Sequence, residues 1–175
     1  MLIMSVQKEK RLYSIISGTY KPNLYKSRYG CMSIRYTKGY NKIKRLLSKK
    51  LGIVTDTSTS TYWGWAKCPY IKFHCNVNVA PEELVVLFLE IPESQCVLSD
   101  YDKYCDYVNE DSNSMDFILE NINDKNALCV QANFLSIKKE NILLTIPYES
   151  IAKYQEKGYT ISELYEKAIN EKGGC

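Results

Sequence analysis

Glu90 is the one charge inside the apolar run Leu84–Ile91, and Gln131 and Asn133 are two amides inside a second strand-like run, residues 127–137. A carboxylate at the end of a strand can serve as a general acid or base. The same position also lets it turn to water. Amides two residues apart share one face of a strand. Once buried they need partners, so they are either structural hydrogen-bond nodes or readers of a ligand. Trp63 and Trp65, both tryptophans of the chain, flank Gly64 and follow a hydroxyl-rich stretch, Thr55–Thr61, that contains Ser58 and Ser60. Indoles bury large areas and read first as core; as aromatic walls they also line ligand pockets. These residues, with Asp100, form the candidate ligand-binding set: Trp63, Trp65, Asp100, Ser58 and Ser60.

Two other groups bear chemistry. Asp100, Asp102 and Asp106 stand at the start of an expected helix, where Asp102 and Asp106 would share a face. Carboxylates there complement the helix dipole before they suggest a cation. His74 is the single histidine, next to Cys75 and six residues after Cys68. Zinc sites use four ligands, commonly as two closely spaced pairs. Cys31, Cys96 and Cys129 would have to complete such a site from afar, so no metal is expected. Nor is there a Gly-rich phosphate loop, a Gly-x-Ser-x-Gly elbow or a His-Glu-x-x-His motif.

The elements that must position these residues follow from periodicity and stop signals. Residues 2–6 read as a short strand, and Val6–Ile16 as a helix ended by Gly18. Lys38–Leu51 reads as a basic helix with Tyr40, Ile43, Leu46 and Leu47 inward and Gly52 as its stop. Lys42, Lys44, Arg45, Lys49 and Lys50 occupy its other face. That face is either simply solvated or contacts phosphates, through Lys42, Arg45 and Lys49. Tyr62–Ala66 is a short strand, and Leu84–Ile91, closed by Pro92, is a central one. Gln95–Leu98 is extended; Ser99 and Asp102 then make a capping-box variant for a helix with Tyr101, Tyr104, Cys105 and Val108 inward. Ser114 caps a further helix carrying Met115, Phe117, Ile118 and Ile122. Ala127–Ile137 and Ile142–Ile146 are strands, Pro147 opens a helix through Tyr154, and Thr160 and Glu163 box the start of a last one.

At 175 residues the chain fits one domain with a core of its own. Its charge is divided. Residues 1–80 carry fifteen Lys and Arg against two acids, whereas residues 81–175 carry eight against eighteen. Either the two halves pack and neutralise each other, or the basic half faces an anionic partner such as nucleic acid or a nucleotide. Seven cysteines without a secretory signal or an apolar run of about 20 residues point to reduced thiols in a cytoplasm and to no membrane span.

Several blocks occur in an order that resembles domain-of-unknown-function family 3841, a group of small intracellular proteins of bacteria and their phages. They are Gln7, Tyr13 with Gly18-Thr19-Tyr20, Tyr62-Trp63-Gly64-Trp65, Leu89-Glu90-Ile91-Pro92-Glu93 with Leu98-Ser99-Asp100-Tyr101-Asp102, and Val130-Gln131-Ala132-Asn133-Phe134. Tyr104-Cys105 stands where the family has Trp-His. The resemblance implies no particular activity. A looser likeness to small ADP-ribosyltransferases implies an NAD cleft with Arg35, Ser58–Ser60 and either Glu90 or Gln131 in catalytic places.

The expectation is an α+β single domain with a mixed, largely antiparallel sheet of about five or six strands and flanking helices. Residues 1–60 form a basic, mainly helical part, 61–146 the sheet-forming part and 147–172 the C-terminal helices. The expected function is a small cytoplasmic binding protein, phage or mobile-element borne, for nucleic acid, a nucleotide or a nucleotide-handling host protein, without a cofactor. The alternative is an ADP-ribosyltransferase-like enzyme using NAD.

Overall fold

The computed structural model describes residues 1–23, 34–55, 59–68, 80–110, 116–154 and 157–173. In chain order these form β1 (Leu2–Lys8), α1 (Leu12–Ile16), α2 (Ile34–Leu51), β2 (Tyr62–Lys67), β3 (Leu84–Glu90), β4 (Val97–Asp100), α3 (Tyr101–Glu110), β5 (Ile118–Leu119), β6 (Val130–Phe134), β7 (Ile142–Pro147), α4 (Tyr148–Ala152) and α5 (Ile161–Gly173).

The strands make one sheet in the order β5-β4-β6-β2-β1-β3-β7, and every described pairing is antiparallel. The fold is therefore α+β as expected, with seven strands rather than five or six and with no parallel pair among the described residues. The extra strand is β5. Its residues Ile118 and Leu119 were expected in a helix but pair with Ser99 and Leu98; Ser114 and Met115 of that expected helix lie outside the described residues.

β3 has the near-continuous apolar run that a strand covered on both faces requires. Leu84 to Leu89 are all buried, and Glu90 is exposed at the end. Val85, Leu87 and Leu89 join Ile3, Ala132, Phe134 and Ile15 on one face. Val86 and Phe88 join Met4, Trp65, Ile151, Ile161 and Leu164 on the other. Each such side chain contributes about 1.5–3 kcal/mol through burial.

β1 pairs with β3 along its whole length, from Leu2↔Glu90 to Lys8↔Leu84. Val6, Gln7 and Lys8, expected to begin a helix, are held in the strand because this ladder satisfies their backbone groups. The helix shrinks to α1, with Ile15 buried and Gly18 at φ 71° just beyond it. The first strand of the basic N-terminal part thus lies inside the sheet, between β2 and β3.

The other helices cover one face. α4 and α5 pack over β1 and β3. α2 and α3 pack over the β4 end through Ile43, Leu47, Tyr104, Tyr107 and Val97. Val97 lies opposite Asn133, and Asn133 opposite Trp63, so both helix pairs share the tryptophan face. At the start of α5, the Thr160 N–H donates to Glu163 Oε2 at 2.7 Å and the Glu163 N–H to Thr160 Oγ1 at 3.2 Å, the expected capping box. These contacts hold the Glu163 carboxyl below its ordinary range.

Three boundaries differ from expectation. Pro147 ends β7, opposite Val85, instead of lying inside a helix; β7 is an outer strand, where a missing N–H is tolerated. Val130–Phe134 is the strand within the longer run expected over 127–137. Ser99 belongs to β4 and does not cap α3; Asp100 does, as shown below.

Candidate functional site

β2, β6 and β4 lie side by side, and their register builds the site. Trp65 stands opposite Gln131, which stands opposite Ser99. One step along, Trp63 stands opposite Asn133, which stands opposite Val97. Alternation puts all of these on the helix-covered face. The indoles meet edge to face, with centroids 5.7 Å apart, and Tyr101 of α3 lies 4.9 Å from Trp65 at 79°.

Gln131 is 1% exposed, Asn133 and Ser99 are 0%, and Trp65 is 2%. Trp63 is half-buried and brings one side of the group towards solvent. Thr61 Oγ1 donates to Asn133 Oδ1 at 3.1 Å. Gln131 Oε1 and Asn133 Nδ2 have no hydrogen-bond partner among the described residues. A buried amide atom left so costs about 1–3 kcal/mol. One acceptor and one donor, on neighbouring same-face positions beside the indoles, thus stand at that cost.

The β2–β6 register brings Gln131 beside Trp63 and Trp65. Asn133 belongs with them, on the same i, i+2 alternation. Thr61 carried no signal of its own, and Ser99 read as a helix cap; the places of both come from the pairing of distant strands. Glu90 does not join them. It is exposed on β3, with β2 and β1 between it and Gln131; three strand spacings put the two roughly 14 Å apart.

Asp100 is a cap. Its Oδ1 accepts from the N–H groups of Asp102 and Lys103 at 3.1 and 3.2 Å, which ties the first turn of α3 to the end of β4. Asp102 and Asp106 are exposed. Ser60 is buried, and its N–H donates to the Pro22 carbonyl at 2.7 Å. Ser58 lies outside the described residues, as do Cys31, His74 and Cys75. Arg35 falls in the first turn of α2 by its backbone, and its side chain lies outside the described part. Among the described residues no group of three or more His, Cys, Asp or Glu could hold a metal ion.

The basic face of α2 is smaller than its composition suggests. Arg45 and Lys49 are exposed. Lys44 is buried, and its Nζ donates to the Thr59 carbonyl at 2.9 Å. Lys50 donates to the carbonyls of Glu93 and Cys96 at 3.0 and 2.7 Å. Lys42 lies over the Tyr107 ring at 5.3 Å. A cavity of about 420 Å³ opens between α2 and β4, lined by Leu46, Lys49, Val97, Ile118 and Glu120 among others. Cys96 also lines it, but burial pushes that thiol up to about 12, so it stays protonated and unreactive.

No family model, curated protein or solved structure matches the chain. The site must be read from its own chemistry. Gln131, Asn133, Thr61 and Ser99 have no group that titrates near neutral pH. They offer fixed donors and acceptors beside aromatic walls, which is equipment for recognition. No helix among the described residues is long and apolar enough to cross a membrane.

Proposed function

We propose that the protein binds a nucleotide and reads its base with Gln131 and Asn133 beside Trp63. The observation that carries this reading is the pair of buried, unpartnered amide atoms, Gln131 Oε1 and Asn133 Nδ2, one an acceptor and the other a donor. Heterocyclic bases present matched donors and acceptors and stack on aromatic rings, and asparagine and glutamine are common readers of adenine. Arg45 and Lys49, exposed on a helix over the same face, supply positive charge for the phosphates. The reading fits a small cytoplasmic binding protein, phage or mobile-element borne, and membership of family 3841 is proposed with it on the sequence blocks described above.

A second reading keeps the site and adds chemistry: an ADP-ribosyltransferase-like enzyme that uses NAD. It needs Arg35, the Ser58–Trp65 segment and Glu90 or Gln131 to converge, and the pairing of Gln131 with Trp65, the end of that segment, supports it. Of its two candidate acid or amide positions, Gln131 lies opposite Trp65, and Glu90 lies three strands away on β3.

Both tryptophans of the chain are at the site, so intrinsic fluorescence reports on it directly. Titration with AMP, ATP and NAD should give a saturable change with at least one of them. Asn133→Leu should abolish that change; it removes the unsatisfied Nδ2 but also the acceptor of the buried Thr61 hydroxyl, so two opposing effects of about 1–3 kcal/mol each leave the thermal midpoint within a few degrees of wild type. A flat response to all three nucleotides at millimolar concentration overturns the reading. Release of nicotinamide from NAD would favour the enzyme over the binder. Salt-dependent binding of an oligonucleotide, with no response to mononucleotides, would move the partner to nucleic acid.

A further inference from the structure

Two residue pairs beyond Trp65 and Gln131, the sheet brings two thiols together. Cys68 follows β2 and Cys129 precedes β6. Lys67 pairs with Val130, so the antiparallel register sets Cys68 opposite Cys129. Their Sγ atoms are 3.3 Å apart and are not bonded to each other. Cys68 is 3% exposed, and Cys129 is half-buried. Both pack against the cluster that contains Trp65.

We propose that Cys68 and Cys129 are a redox-modification site, a dithiol that closes to a reversible disulfide under hydrogen peroxide. The Cys129 thiolate attacks peroxide, the O–O bond breaks, and Cys129 becomes a sulfenic acid with release of hydroxide. The Cys68 thiol then attacks that sulfur; an S–S bond forms, the S–O bond breaks, and the oxygen leaves as water with the Cys68 proton. The two sulfurs together give up two electrons, and peroxide takes them. Closing from 3.3 Å to a bonded separation of about 2.05 Å requires a sulfur displacement of roughly 1.3 Å. Cysteines opposite each other on adjacent strands are already within the usual span of a disulfide.

The bond would tie the strand ends that carry Trp65 and Gln131. It would also act on α3, because the Cys129 carbonyl accepts the Tyr101 N–H at 2.9 Å and the Tyr101 ring rests on Trp65. Oxidation therefore stiffens three sides of the tryptophan–amide group. Its effect on a bound nucleotide rests on the function proposed above; the formation of the bond does not.

The test treats the full chain with hydrogen peroxide, blocks remaining thiols, and maps linked peptides by mass spectrometry before and after a thiol reductant. The expected result is a mass lower by two hydrogens in the linked peptides, a bond between Cys68 and Cys129, and its loss on reduction. The thermal midpoint should rise by roughly 5–10 °C, from the usual worth of a disulfide in a chain of this size. Cys129→Ser and Cys68→Ala should each abolish both the link and the rise. Recovery of Cys68 and Cys129 unlinked, or linked only to other cysteines, overturns the proposal. The mapping uses the wild-type chain without ligand, so it succeeds or fails separately from the nucleotide reading.

Discussion

Gln131 and Asn133 illustrate how far a residue's identity carries. Their types and spacing already marked them as nodes or readers; their missing partners are visible only with the strands in place. Tyr62 shows the same dependence with a titratable group. Its hydroxyl donates to the Tyr20 carbonyl at 2.8 Å, and its ring stacks 6.1 Å from Phe134. Burial, and then the neighbouring Tyr20, push its pKa from 10.0 up to about 12. A raised folded value means that the proton is held more tightly in the native state. The associated stability is complete below pH 10 and is lost as pH rises towards 12. Tyr62→Phe should therefore lower stability at neutral pH by about 1 kcal/mol through the lost hydrogen bond. It should also flatten the fall of the thermal midpoint across that alkaline window. An unchanged alkaline slope would show that Tyr62 does not titrate with unfolding.

At the scale of elements, the β4–α3 junction is the clearest lesson. Leu98-Ser99-Asp100-Tyr101-Asp102 announces a capped helix, but two neighbouring residues are chemically able to cap it. Ser99 is drawn into β4 by its pairing with Gln131 and Ile118. Asp100, at the last strand position, turns its carboxylate onto the first two N–H groups available. Asp100→Ala should cost about 1 kcal/mol, and Asp100→Asn only a few tenths; chemical denaturation of the two variants checks this. Equal losses would mean that the charge, not the cap, is what matters. α2 makes a related point. Helical periodicity correctly put Ile43 and Leu47 inside, yet Lys44 is buried too, because the Thr59 carbonyl reaches its ammonium. A partner from a distant loop leaves no mark on the helix's own pattern.

For the whole molecule, the decisive contacts are between strands far apart in the chain. β1 is held between β2 and β3. Gly64 is where β2 comes closest to β1: a Cβ there would lie 2.5 Å from Ile3 Cγ2 and 2.8 Å from the Met4 carbonyl oxygen. The latter is backbone and cannot rotate away. Gly64→Ala should destabilise the protein by at least about 2–3 kcal/mol, read as a lower urea midpoint at unchanged slope; a midpoint equal to wild type would contradict this close approach. The sequence by itself determined the α+β class, the buried run of β3, the inward face of α2, the Thr160–Glu163 box and the nearness of Trp63 to Trp65. Those are local matters of periodicity, capping and side-chain size. Tertiary structure alone decided that β1 lies inside the sheet and that Gln131 and Asn133, not Glu90, face the tryptophans. It also decided that Asp100 is occupied as a cap and that Cys68 meets Cys129. Each of these depends on strand order and register, which are set by which distant backbones satisfy one another's hydrogen bonds.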